Sequence, residues 1–265
     1  MDAPRWIETG SGSRGLVFLH GVSGGAAGAL DILPRMTLPG WRGLAWDMPG
    51  YGASAPVEPV SFDTLAGAVV DLLDEAGLDS AVLVGHSMGG MIALQAAVRF
   101  PERVAGLVLA CCTPAFGAAS GALQKAFLDR RLGPLDDGAS MRELAIEVIP
   151  TMIGPGSEAE VVHDAVDLMA RISPDSYRAA MHALVRFDQR AALPALGMPA
   201  LVLAGTHDTV STPLVVRRMA ERLPLATYRE LDAGHLAPFE EPEAFAAEVR
   251  GFLAGLDNLP VTGTR

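Results

Sequence analysis

The chain is poor in cysteine, in charge and in unbroken apolar runs, and each shortage removes a class of protein. Its 265 residues hold two cysteines, Cys111 and Cys112, side by side. Neighbours in a strand point to opposite faces, which disfavours an ordinary disulfide between them. With no third cysteine, a secreted disulfide framework is not expected, and both thiols read as buried. Only 19% of residues are charged, and 31 acidic residues outnumber 20 basic ones, giving a net charge of −11. That balance argues against nucleic acid and against anionic membranes as partners. Val104 to Gln124 is uncharged and of bilayer-spanning length. Gly106, Pro114, Gly117 and Gly121 interrupt it, so it reads as a buried strand leading into a loop. Leu16 to Leu19 is too short for a signal-peptide core and follows Asp2 and Glu8, so a cytoplasmic location is expected. H-E-x-x-H and a Cys/His cluster are absent, and the Gly24-Gly25 turn lacks G-x-G-x-x-G; no metal and no cofactor is expected.

Half of the residues are apolar, which suits a folded chain with a large core. Short apolar runs at Leu16–Leu19, Leu44–Trp46, Ala81–Val84 and Val104–Ala110 read as buried parallel strands, with Trp6–Thr9 as an edge strand. Between them lie helical patterns. Phe62 to Ala76 has Leu65, Val69, Leu72 and Leu73 on one face and Asp63, Asp71 and Asp74 on the other, and Gly77 stops it. The alternation predicts an α/β fold, a mostly parallel central sheet with helices on both faces. It breaks after Thr113. Four helical patterns follow, Leu123–Leu132, Met141–Met152, Ala159–Ile172 and Ser176–Phe187, before strands resume at Ala200–Ala204 and Thr227–Leu231. The expected division is a core of 1–113 and 194–256, a helical insertion at 114–193 and a flexible tail at 257–265.

The most informative stretch is Ala81 to Gly90, an apolar run entering Gly85-His86-Ser87-Met88-Gly89 and then a helical pattern. Strand, sharp turn, helix is the context that a G-x-S-x-G nucleophile elbow requires. A serine at such an apex adopts strained backbone angles, and side chains two residues away on either side would collide with the turn. Alone, five matching residues are also what a glycine-rich loop looks like. Other strand ends decide the matter. His20-Gly21-Val22, Asp208 and His235 all follow predicted strands, where open parallel sheets bind ligands. Asp47 also ends a strand, but it sits in a Pro-Gly turn that it is better placed to pin. His20 and His86 read as structural, His163 and His182 as surface or packing residues, and His207 as an outer neighbour of Asp208.

Taken together these motifs resemble the α/β-hydrolase superfamily across nearly the whole chain. They are Leu-His-Gly at 19–21, Asp-x-Pro-Gly-x-Gly-x-Ser at 47–54, Gly-His-Ser-Met-Gly-Gly at 85–90, Gly-x-x-Asp-x-x-x-x-Pro at 205–213 and Gly-His-Leu at 234–236. The resemblance implies a triad in which Ser87 is nucleophile, His235 general base and Asp208 its orienting acid. It implies an oxyanion hole from the backbone N–H groups of Val22 and Met88. Some members place the acid after the strand before the insertion; Cys111-Cys112-Thr113 offers no carboxylate there. The insertion resembles a helical cap, with Met141, Met152, Met169 and Met181 suiting an apolar pocket. Its Arg130–Leu135 and Arg186–Asp188 stretches resemble 3-oxoadipate enol-lactonases, so Arg130, Arg131 or Arg186 could bind a substrate carboxylate, with Met152 and Leu236 lining the pocket. The expected activity is serine hydrolysis of a carboxylic ester or enol-lactone of a small, largely apolar substrate. Carbon–carbon bond hydrolysis is the alternative, disfavoured by Leu236 where those enzymes commonly carry Trp. A ligand-binding receptor that keeps the triad is a second alternative. The expected partner is a small-molecule substrate, and the chain a monomer or homodimer.

Overall fold

The computed structural model describes residues 3–116 and 121–256. The expected tail at 257–265 lies outside the described residues. Seven strands form one sheet among them: β1 (Trp6–Gly10), β2 (Gly12–Leu19), β3 (Gly40–Trp46), β4 (Ala81–His86), β5 (Val104–Ala110), β6 (Ala200–Gly205) and β7 (Ala226–Leu231). Their spatial order is β1-β3-β2-β4-β5-β6-β7. Only β1 runs antiparallel, against β3. The parallel register sets Leu19 beside Gly85 and His86 beside Ala110, so the carboxyl ends of β2, β4 and β5 align.

The central strands are apolar where both faces are covered. Val17, Leu19, Leu83, Leu107, Leu109 and Val202 pack on one side. Leu16, Phe18, Val82, Val84, Val108, Leu201 and Leu203 pack on the other. Helices α1 (Ile32–Met36), α2 (Phe62–Glu75) and α3 (Met88–Arg99) follow β2, β3 and β4. Helix α2 begins in a capping box, Ser61 with Thr64, and ends before Gly77 at φ 67°.

After β5 the chain leaves the sheet for four helices, α4 (Gly121–Asp136), α5 (Met141–Val148), α6 (Ala159–Ala170) and α7 (Pro174–Leu184). Phe116 N–H donates to Phe187 O, and Gln189 N–H to Pro114 O, so the segment leaves and returns at one neck. Helix α8 (Pro213–Ala220) follows β6; α9 (Ala237–Glu240) and α10 (Pro242–Leu256) follow β7. The sequence expectation merged two elements that the backbone separates. The Met141–Met152 pattern is α5 followed by a 3-10 turn at Ile149–Thr151, because Pro150 cannot continue the α-helical ladder. No helix among the described residues is long and apolar enough to cross a membrane; Val104–Ala110 is the buried strand β5.

Candidate active site

Ser87 sits between β4 and α3 at φ 54° and ψ −119°, a conformation that a residue with a Cβ adopts only under constraint. The constraint is close packing. A Cβ on Gly85 would lie 2.4 Å from Gly89 O, and one on Gly89 would lie 1.9 Å from Leu19 O. A side chain at Gly85 would collide with the start of α3, and one at Gly89 would push the elbow away from β2. The Ser87 N–H donates to Ala110 O at 2.9 Å, which ties the apex to the end of β5.

Two loops from the far side of the sheet meet the serine. His235, after β7, has Nε2 2.9 Å from Ser87 Oγ and Nδ1 2.8 Å from Asp208 Oδ2. Asp208, after β6, also accepts the Val210 and Ser211 N–H groups on Oδ1, at 2.7 and 2.8 Å. Its side chain is fully buried. Because a carboxylate only accepts, Nδ1 of His235 carries the proton and Nε2 is left to accept from the serine hydroxyl. The three groups form one directed chain of hydrogen bonds.

Both other buried histidines are structural. His20 Nδ1–H donates to Gly21 O, and Nε2 accepts from Met48 N–H. Burial lowers its pKa and keeps it neutral. His86 Nε2–H donates to His235 O at 2.7 Å. Burial, then repulsion from His235, pushes its pKa down to about 3. Asp47 accepts from Ala26 N–H at 2.8 Å and Ala53 N–H at 3.2 Å, so it pins the Pro-Gly turn to the segment after Val22. Cys111 and Cys112 are fully buried, and burial raises both thiol pKa values away from the reactive thiolate.

Ser87 and His235 open into a cavity of about 510 Å³ between the sheet's carboxyl edge and the helical insertion. Val22, Met152 and Leu236 line it, as the sequence suggested. Arg130 and Arg186 do not. Both are exposed, and Arg186 lines a separate groove with Arg178 and His182. Arg131 instead stacks over Phe127, 5.7 Å from the ring centroid. The outer lining comes from α6 and its approach, where Glu158, Glu160, Asp164 and Asp167, with Asp31 after β2 and the basic Arg171, are solvent-exposed residues at the opening. This wall is not legible in the sequence, because the helical period of 159–172 shows which residues are polar and not which neighbour they face. His163 and His182 are exposed, and His207 pairs with Asp232 at 2.8 Å. Among the described residues no cluster of three His, Cys, Asp or Glu side chains could hold a metal ion.

Known proteins resemble this chain in sequence and fold. A family model described as alpha/beta hydrolase fold matches residues 16–242. The chain is 31% identical over 208 residues to 3-oxoadipate enol-lactonase 2 of Acinetobacter baylyi, covering 76% of this chain and 74% of that one. It is 31% identical over 254 residues to a pimeloyl-[acyl-carrier protein] methyl ester esterase of Photobacterium profundum, covering 94% and 97%. The crystal structure of the enol-lactonase from Burkholderia xenovorans LB400 superposes with a TM-score of 0.81 at 26% identity, covering 94% and 96%.

Proposed function

The chain belongs to the alpha/beta hydrolase fold family, and from that premise we propose that it is a serine hydrolase cleaving an uncharged carboxylic ester or lactone through an acyl-enzyme on Ser87. The observation that carries this reading is the Ser87–His235–Asp208 chain, with links of 2.9 and 2.8 Å, opening into the cavity. In the first half-reaction the Ser87 hydroxyl gives its proton to His235 Nε2 while Oγ bonds to the substrate carbonyl carbon. The imidazolium faces the buried Asp208 carboxylate and then returns the proton to the leaving oxygen. A water repeats the sequence on the acyl-enzyme and frees Ser87.

The negative charge on the former carbonyl oxygen falls to two backbone donors, the N–H groups of Met88 and Val22. Met88 is the first residue of α3, where helical N–H groups lack intrahelical partners. Val22 is steadied from behind, since Tyr51 donates its hydroxyl to Val22 O at 3.1 Å. Losing one such donor costs about 3 kcal/mol of barrier.

The acidic wall supports the restriction to uncharged substrates. An acyl group with its own carboxylate would enter a space faced by five acidic side chains and one arginine. The relatives are named for enol-lactone and methyl ester hydrolysis, which places the bond to be broken in the ester class.

A fluorophosphonate probe tests the reading. It labels the parent protein, peptide mass spectrometry places the adduct on Ser87, and Ser87→Ala abolishes both labelling and hydrolysis of p-nitrophenyl acetate. An adduct on another residue, or hydrolysis that survives Ser87→Ala, overturns it.

A further inference from the structure

The turn that carries His235 is held by a carboxylate outside the triad. Glu240, the last residue of α9, folds back over its own helical turn. Its Oε1 accepts the Leu236 N–H at 2.9 Å, and its Oε2 accepts the Gly234 N–H at 3.0 Å. These are the amides on either side of His235. The same Oε2 accepts the Gly154 N–H and the Ser157 hydroxyl, both at 2.7 Å, from the loop between α5 and α6. The His235 N–H itself donates to Met152 O at 2.7 Å. Three consecutive amides, 234 to 236, therefore end either on Glu240 or on the helical insertion.

The backbones touch directly. A Cβ on Gly234 would lie 2.3 Å from Gly154 N and 2.6 Å from Met152 O; one on Gly154 would lie 2.7 Å from Gly234 N. Only two glycines permit this approach. Met152 is also a wall of the cavity. One carboxylate thus sets the height of the catalytic imidazole and the position of a substrate-facing loop.

We propose that Glu240 is a positioning residue for His235, joining the histidine turn to the helical insertion so that both occupy their working positions together. The proposal rests on His235 being the base that activates Ser87. An ionised carboxylate only accepts, and here four donors converge on it, one on Oε1 and three on Oε2. Glutamine replaces one oxygen with an NH2 group, which would face an N–H; alanine leaves four donors without their acceptor. Neither change touches the triad. Either one loosens the hold on the imidazole, and a misplacement of about 1 Å costs on the order of 100-fold in rate.

The test measures, on the full chain, the second-order rate of Ser87 modification by diisopropyl fluorophosphate, together with kcat and KM for p-nitrophenyl acetate, well below the melting temperature of each variant. Both substrates are small, so both read activation of the serine. Glu240→Gln should lower kcat and the modification rate about 10-fold and Glu240→Ala about 100-fold, with KM changing less than about 3-fold. Ser157→Ala, which removes one arm on the insertion side, should change the modification rate less than about 3-fold. A purely structural role would lower the melting temperature and leave the modification rate of the folded protein alone. A modification rate and kcat within about 2-fold of the parent overturn the proposal, and should Glu240→Ala not fold, Glu240→Gln decides by the same criterion. Parent protein that the probe does not modify on Ser87 refutes instead the serine-hydrolase reading beneath it.

Discussion

A buried neutral histidine leaves a mark on the pH dependence of stability, and His86 is such a residue. His86 is held near pKa 3, whereas an unfolded histidine titrates near 6.5. Below about pH 6.5 the unfolded chain therefore binds a proton that the folded chain refuses. Its contribution to stability is complete above pH 6.5 and is lost as pH falls toward 3, at up to about 1.4 kcal/mol per pH unit. His20, also lowered by burial, acts in the same direction. Urea unfolding between pH 7.5 and 5, where most carboxylates stay ionised, should show stability falling with pH, and His86→Gln should flatten that fall. Equal slopes in parent and variant would refute the assignment. At this scale the sequence was legible wherever a role is tied to a strand end. Ser87, Asp208 and His235 could be named because each follows a predicted strand and falls in a motif, and His20 and His86 because each sits inside one of the motifs. Arg130 and Arg186 could not be placed, because helix phase alone does not say which surface a charged side chain meets. Glu240 could not be read either: two of its four partners lie more than 80 residues away.

Elements translate these residues into geometry, and glycine shows how differently one residue type behaves in two of them. In the elbow between β4 and α3, Gly89 has Leu19 O where a Cβ would go. In the middle of α2, Gly67 has no atom within 4 Å of that position. Gly89→Ala must therefore open the β2–β4 contact or move Ser87, and it should destabilise the fold by on the order of 3 kcal/mol and suppress fluorophosphonate labelling. Gly67→Ala should stabilise by about 0.5–1 kcal/mol, through helix propensity and a less flexible unfolded chain, and leave labelling unchanged. Chemical denaturation of the two variants gives both numbers, and a tolerated Gly89→Ala would mean that the elbow is less tightly packed than described. β4, β5 and β6 were readable because both faces of the sheet are buried there, which makes their sequences almost continuously apolar. Boundaries drifted where the signal changes character: β2 and β3 begin earlier than their apolar runs, since Gly12 to Arg14 are exposed and Gly40 to Arg42 mix exposed, buried and half-buried residues.

For the whole molecule, the net charge of −11 and the acidic side of the cavity act in the same sense on anything approaching Ser87. Two of the five wall carboxylates are partly neutralised, Asp31 by Arg35 and Asp167 by Arg142. Glu158, Glu160 and Asp164 have no ion-pair partner among the described residues, and Arg171 stands beside them without one. A matched pair of substrates isolates their effect: p-nitrophenyl hexanoate and the mono-p-nitrophenyl ester of adipic acid, which differs by a carboxylate at the far end. At low salt kcat/KM should favour the neutral ester by roughly 10-fold, and the preference should shrink as ionic strength rises past about 0.15 M, where the screening length falls below about 8 Å. Replacing Glu158, Glu160 and Asp164 together with their amides should shrink it at low salt as well, while hexanoate turnover stays near the parent value because these side chains lie away from the triad. Preference for the adipate ester would mean that Arg171 outweighs the wall and that the enzyme selects a carboxylate. Equal turnover of both esters at every salt concentration would mean that the acyl chain does not reach α6. Under the proposed mechanism the elbow presents the nucleophile, and the matched esters report whether the charge on α6 selects among acyl groups.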